Sequence, residues 1–208
     1  MAPSDMPYFV IGKTDTQIHF DPDHIKSAYA KQRALLCRGA IAPELLNQLA
    51  NAAAKALYVS DTVEHLGHRW IERPSIIGNA IQLVLNRPVL HDWLKTVAGC
   101  TAEGAFEGRL VETRPGGKDH LSWHRDNMLN ARYEFGLTLH LRPCQYQGGA
   151  FEMRDSKSKE PLFRHYPADP GDVLIFEVDP RSEHRVAQVE SGEARRVFTG
   201  WFIANATS

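Results

Sequence analysis

A histidine and an aspartate stand two residues apart in Trp123-His124-Arg125-Asp126, shortly after the turn Pro115-Gly116-Gly117 and ahead of a long strand-like run. Side chains alternate along an extended chain, so His124 and Asp126 project from one face if this stretch is a strand. An imidazole and a carboxylate on one face can hold a divalent metal once a third ligand arrives from elsewhere. His184, in Glu183-His184-Arg185-Val186, is the candidate third ligand. Two imidazoles and one carboxylate leave one side of the ion open to exogenous ligands, a donor set suited to Fe(II) and O2 chemistry. The same donors bind zinc, but no clear general base stands beside them to make a hydrolase.

Further along, Arg195-Arg196 precedes Gly200-Trp201-Phe202. Alternation puts Arg195 on the face of Val197, Thr199 and Trp201, and Arg196 on that of Phe198, Gly200 and Phe202. A guanidinium fork binds a carboxylate through two parallel hydrogen bonds, so one of the pair is a candidate anion ligand.

The elements that must position these groups fall into two halves. Residues 1–33 read as a loose lead-in, with a short helix opening at Asp21-Pro22-Asp23. Residues 34–38 read as a buried strand. Pro43 begins an amphipathic helix over 43–57, where Leu45, Leu46, Leu49, Ala53, Ala56 and Leu57 recur at helical spacing. Residues 58–74 show no period and read as a loop with a short strand at most. Helices follow over 76–85 and from Pro88 to Ala98, the latter ended by Gly99. From about residue 106 the texture changes to some eight short strands separated by Gly, Pro and Asp turns, with no helix between them. This predicts a mainly β protein with N-terminal helices: a jelly-roll core over 106–204, and a helical lead-in and loop over 1–105 packed against its outside.

Composition narrows the field. The chain has 208 residues, a size that suits one domain, with 43% hydrophobic and 24% charged residues. A formal net charge of -1 gives no reason to expect a nucleic-acid or membrane-surface partner. No apolar run approaches a membrane span, and the N-terminus lacks the pattern of a signal peptide. Three scattered cysteines, Cys37, Cys100 and Cys144, suit reduced thiols in a cytoplasm.

Taken in order, HxD at 124–126, Gly-Gly-x-Phe at 148–151, Pro-Gly-Asp-Val-Leu-Ile-Phe at 170–176, His184-x-Val186 and Arg195-Arg196…Gly200-Trp201-Phe202 resemble the Fe(II)/2-oxoglutarate-dependent dioxygenases. The prolyl-4-hydroxylase-like branch is the most similar, over residues 106–204 and the helix at 43–57. The resemblance implies a double-stranded β-helix fold, with Fe(II) held by His124, Asp126 and His184. It also implies 2-oxoglutarate and O2 as cosubstrates, and release of succinate and CO2 as an unactivated C–H of a small molecule, amino acid or peptide side chain is hydroxylated. A basic residue six positions before the tryptophan of the last strand receives the distal carboxylate of 2-oxoglutarate in that family. This favours Arg195 over Arg196. Asp126 favours hydroxylation, or a desaturation or demethylation outcome of the same step, over halogenation, because related halogenases carry a small residue there.

Two positions depart from the pattern. Tyrosines common in that branch are replaced by Arg114, before the first ligand, and by His140, on the following strand with Thr138 and Gly136 on its face. Arg114, His140 and Thr138 are therefore candidate cosubstrate contacts beside Arg195. Trp201, Arg125, Asn127, Trp70 and Arg73 are candidate substrate contacts, each weighed against an ordinary packing or surface role. A jelly-roll binding module without catalysis is the alternative function, and neither the substrate nor the oligomeric state can be read from these residues.

Overall fold

The computed structural model describes residues 6–141, 145–166 and 169–206. Its first elements are two short strands, β1 (Phe9–Ile11) and β2 (Thr16–Ile18), paired antiparallel. The lead-in is thus more ordered than its mixed sequence predicts, because Phe9 and Ile11 are fully buried. Helix α1 (Pro22–Gln32) starts where predicted, with Asp21 accepting from the Asp23 amide and proline in the first turn. Strand β3 (Ala34–Cys37) and helices α2 (Pro43–Lys55), α3 (Ile76–Leu85) and α4 (Pro88–Ala98) also follow the pattern, and Gly99 ends α4 in the left-handed conformation.

Residues 58–74 depart from expectation. They form a β-hairpin, β4 (Tyr58–Val63) and β5 (Gly67–Glu72), not a loop. β4 covers one edge of β5; along the other edge β5 pairs with β6 (Gly104–Thr113) at Trp70 and Ile71 and, nearer its start, touches β7 (His120–His124) through Gly67 opposite Leu121. This strand joins what would otherwise be two separate sheets.

The remaining strands are β8 (Tyr133–His140), β9 (Tyr146–Gly148), β10 (Phe151–Asp155), β11 (Pro161–His165), β12 (Val173–Glu177), β13 (Ser182–Val186), β14 (Val189–Gly192) and β15 (Arg195–Ala204). One wrapped sheet of eleven strands runs β11-β10-β13-β7-β5-β6-β15-β8-β12-β3, with β4 on β5; β9 and β14 form a separate pair. The result is a nearly closed barrel of jelly-roll type, with the helices outside it as predicted. One apolar cluster joins lead-in and barrel, since Phe9, Leu45, Leu90 and Trp93 share it with Phe106, Phe135 and Phe202. Glu72, 3% exposed at the end of β5, accepts from the Ile77 and Gly78 amides at 2.8 Å each and ties the hairpin to the N-terminus of α3.

No helix among the described residues is long and apolar enough to cross a membrane. Cys37 is buried and Cys100 half-buried, both as free thiols; Cys144 lies outside the described residues.

Candidate metal centre

β7 and β13 run antiparallel, with His124 directly opposite His184. Their rings lie 4.4 Å apart between centroids. β7 ends at His124, and Asp126 opens a short 3₁₀ turn (Asp126–Met128). Arg125 between them keeps extended dihedrals (φ -124, ψ 120), so the same-face relation predicted for an uninterrupted strand survives although the strand stops. His124 Nε2 approaches Asp126 Oδ1, and His184 Nε2 approaches Asp126 Oδ2, each at 3.3 Å. One ligand atom from each of the three residues lies within 4.8 Å of the others.

Neighbours fix each ligand. His124 Nδ1 lies 2.6 Å from the Ser122 carbonyl. A carbonyl only accepts, so Nδ1 carries a proton, and Nε2 is the ring atom that faces Asp126. The Trp201 indole donates to Asp126 Oδ2 at 2.6 Å. His184 packs between Phe151 and Phe176, at 5.4 and 4.9 Å between ring centroids. Burial would raise the Asp126 carboxyl, but His184, His124 and the indole outweigh it and hold it below the usual range. For His184 burial prevails and pulls the imidazole down to about 4. For His124 burial pulls down, and the adjacent carboxylate of Asp126 overrides it upward. Asp126 Oδ1 is buried and has no hydrogen-bond donor among the described residues. A buried carboxylate whose two oxygens each face an imidazole nitrogen fits a divalent ion of the Fe(II) type.

These groups open on a cavity of about 250 Å³. Arg195, 3% exposed, lines it, as do Thr138 and Thr199, whose hydroxyls are 3.4 Å apart. Gly149, held at φ 69, leaves room for the Arg195 side chain: an added Cβ would sit 3.1 Å from Cδ. Arg196 points the other way and donates to Glu112 Oε2 at 2.6 Å. Alternation thus separates the two arginines as predicted.

Several candidates fall elsewhere. His140 is buried beside Arg195 and edge-on to His165 at 5.4 Å, and does not line the cavity. Arg114 lies outside it, with its guanidinium 3.5 Å from the centre of the Trp70 ring and its Nε on Glu112 at 2.6 Å. Trp70 is consumed by that stack, because its strand parity turns it away while Arg69 turns inward. Arg73 is exposed and donates to Ser75 Oγ at 3.2 Å. Arg125 reaches the Pro180 carbonyl at 3.3 Å, and Asn127 also lies outside the lining. Trp201 does line the cavity, and its polar edge is spent on Asp126.

Sequence reasoning missed Arg69, Arg109, Tyr133 and Thr199 as lining residues. Arg109 shares the parity of Thr113 on β6, which was available as a signal. Arg69 had none, because its hairpin was read as loop.

A wrapped β-sheet carrying a buried His-Asp-His cluster, with an arginine in the same cavity, defines a non-haem metal oxygenase architecture. Residues 110–203 match the family model of the 2OG-Fe(II) oxygenase superfamily. That match covers a little under half of the chain and, with the His-Asp-His cluster, identifies an Fe(II)/2-oxoglutarate-dependent dioxygenase that uses Fe(II), 2-oxoglutarate and O2. Among solved structures, an oxidoreductase of the 2OG-Fe(II) oxygenase family from Burkholderia pseudomallei superimposes with a TM-score of 0.73 at 15% identity, over 91% of this chain and 96% of that one. A Pseudomonas putida prolyl-4-hydroxylase gives 0.66 at 16%, over 89% and 100%. A Trichoplax adhaerens prolyl hydroxylase, solved with a hypoxia inducible factor peptide fragment, gives 0.65 at 14%, over 88% and 89%. These identities speak for a shared fold. No match was found among curated proteins.

Proposed function

We propose that the protein hydroxylates an unactivated C–H bond of a small molecule, amino acid or peptide side chain, with Fe(II) held by His124 Nε2, Asp126 and His184 Nε2. The observation that carries this reading is the convergence of those three groups on one cavity that also receives Arg195. When bound, Fe(II) with 2-oxoglutarate and O2 supplies oxidative decarboxylation, releasing succinate and CO2, and the oxidant for C–H attack.

The chain's own residues do the rest. Arg195 takes the distal carboxylate of 2-oxoglutarate in a bidentate pair, aided by the hydroxyls of Thr138 and Thr199. His140, buried and held neutral at ordinary pH by burial and by Arg195, packs beside that arginine and fixes its position without adding charge. Ser122 sets the tautomer of His124, Trp201 orients Asp126, and Phe151 with Phe176 keeps water from the His184 ring. Asp126 as a ligand supports hydroxylation rather than halogenation.

A cavity near the lower end of the range for small-molecule sites, about 300 Å³, supports a small substrate or an inserted side chain. Residues 1–208 act as one oxygenase domain in this reading, supported by the apolar cluster shared between lead-in and barrel. The free thiols support a cytoplasmic site of action. The test is succinate formation from 2-oxoglutarate with Fe(II) under air. Turnover that disappears in His124→Ala and Asp126→Ala supports the reading, and full turnover in either variant contradicts it.

A further inference from the structure

The cavity walls carry more positive charge than the proposed chemistry uses. Three arginines line the cavity, Arg69 from β5, Arg109 from β6 and Arg195 from β15, and Asp126 is the one carboxylate among the described lining residues. In the proposed function, Fe(II) and Arg195 match the charges of Asp126 and 2-oxoglutarate. Arg69, 9% exposed, is matched by Asp61, whose Oδ2 accepts from its Nε at 2.7 Å. Arg109 is left over. It is half-buried, its guanidinium lies 5.8 Å from the Trp201 ring centre, and no carboxylate among the described residues is within ion-pair reach.

Arg109 and Arg195 occupy opposite ends of the same wall. In the β6–β15 register Arg109 faces Thr199 and Arg195 faces Thr113. Four residues of strand therefore separate the two backbone positions, roughly 13 Å along the sheet. Arg109 lies by Trp201 and Arg195 by His140 and His165, so a ligand carboxylate on Arg195 leaves Arg109 unmatched. The Arg109 end is the one that holds Trp201, whose indole is fixed to the metal-facing carboxylate. A group bound at Arg109 thus lies beside the metal centre on the side away from the cosubstrate.

We propose that the primary substrate is a small carboxylic acid, an amino acid included, whose carboxylate is received by Arg109 with Arg69 beside it. This rests on the proposed function and narrows its substrate class. A half-buried guanidinium without an ion-pair partner is costly in a cavity wall, and a bound anion removes that cost. Burial, and after it the neighbouring charge of Arg69, pull the Arg109 guanidinium down from its ordinary value against the opposing charge of Asp61, which is itself bonded to Arg69. The planar fork suits a carboxylate, and a small cavity suits a small acid. An amide-linked side chain within a peptide, unless acidic, brings no anion to this position.

The test uses the full chain loaded with Mn(II), in place of Fe(II) to prevent turnover, and saturated with 2-oxoglutarate so that Arg195 is occupied. Small aliphatic, aromatic and amino acids are titrated beside their own primary amides, by calorimetry and by shift in melting temperature. The proposal expects at least one acid to bind, with its amide about tenfold weaker or more. Arg109→Gln should weaken that acid by a similar factor while holding 2-oxoglutarate as well as the parent does. Arg109→Lys, which keeps the charge without the fork, should fall between. Amides that bind as tightly as acids, acid binding unchanged in Arg109→Gln, or no binding by any acid would each overturn the substrate assignment. Failure of the parent to take up Mn(II) and 2-oxoglutarate would instead overturn the proposed function on which it rests.

Discussion

The Trp201 indole donates to Asp126 Oδ2 at 2.6 Å, linking the last strand of one half of the barrel to the 3₁₀ turn that follows the first histidine in the other. The ring is held from its far side by Tyr133, stacked at 4.8 Å and 7°. Trp201 is therefore a positioning residue for the carboxylate. Trp201→Phe keeps the stack and loses the donor. We expect metal affinity to fall about 10- to 100-fold, as is typical when a ligand loses its outer partner. A calorimetric titration with Mn(II) checks this, and unchanged affinity would remove Trp201 from the metal centre.

The two adjacent arginines separate in experiment as they do in space. Arg195→Gln should raise the KM for 2-oxoglutarate by about tenfold or more, because a charge-assisted bidentate pair is lost, with little change in Fe(II) affinity. Arg196→Gln removes one of the two guanidinium groups bonded to Glu112, which is 3% exposed. It should cost about 1–3 kcal/mol of stability and leave the KM alone. Steady-state kinetics and urea melts on both variants measure the split.

Gly136 leaves the space that the Phe176 ring fills, and a Cβ there would overlap that ring. Phe176 in turn packs against His184. Gly136→Ala should destabilise the fold by about 1–3 kcal/mol through overpacking, and it should weaken metal binding although position 136 touches no ligand. Stability lost without any change in metal affinity would show that Phe176 does not hold His184.

His165 gives a prediction in pH. Burial, then Arg195 and Arg38, pull its imidazole from 6.5 down to about 4. The unfolded chain takes up this proton before the folded one does. The stabilisation is thus complete above about pH 6.5 and is lost as pH falls toward about 4, by an amount of order 3 kcal/mol at most. Denaturant melts at several pH values in that window should show a shallower acid slope for His165→Asn than for the parent. Equal slopes would place the acid sensitivity elsewhere.

Much of this site is legible in the residues themselves. His124, His184 and Arg195 sit on strands and Asp126 on the turn just after one, so parity puts Arg195 and Arg196 on opposite faces and the family spacing to Trp201 selects Arg195. The β4–β5 hairpin is not legible, because Tyr58–Val63 and Gly67–Glu72 carry polar residues on both faces and so show no period. His65, at φ 60, occupies a left-handed turn position where glycine or asparagine would have signalled a turn. The order of the hairpin comes from partners far away, such as His68 Nδ1 with Asp119 Oδ1 at 2.6 Å. Missing the hairpin hid Arg69 and misassigned Trp70. For Arg114, the departure from the family pattern was visible, but the Trp70 ring that receives it was not.

The central claim is that His124, Asp126 and His184 together hold the iron to which 2-oxoglutarate binds. Anaerobic addition of Fe(II) and 2-oxoglutarate, followed by visible absorption, tests it most directly, since chelation of Fe(II) by a 2-oxo acid gives a metal-to-ligand charge-transfer band. The parent should develop the band, and Asp126→Ala and His184→Ala, folded by circular dichroism, should not. A full band in either variant, or no band in the parent, would contradict the account.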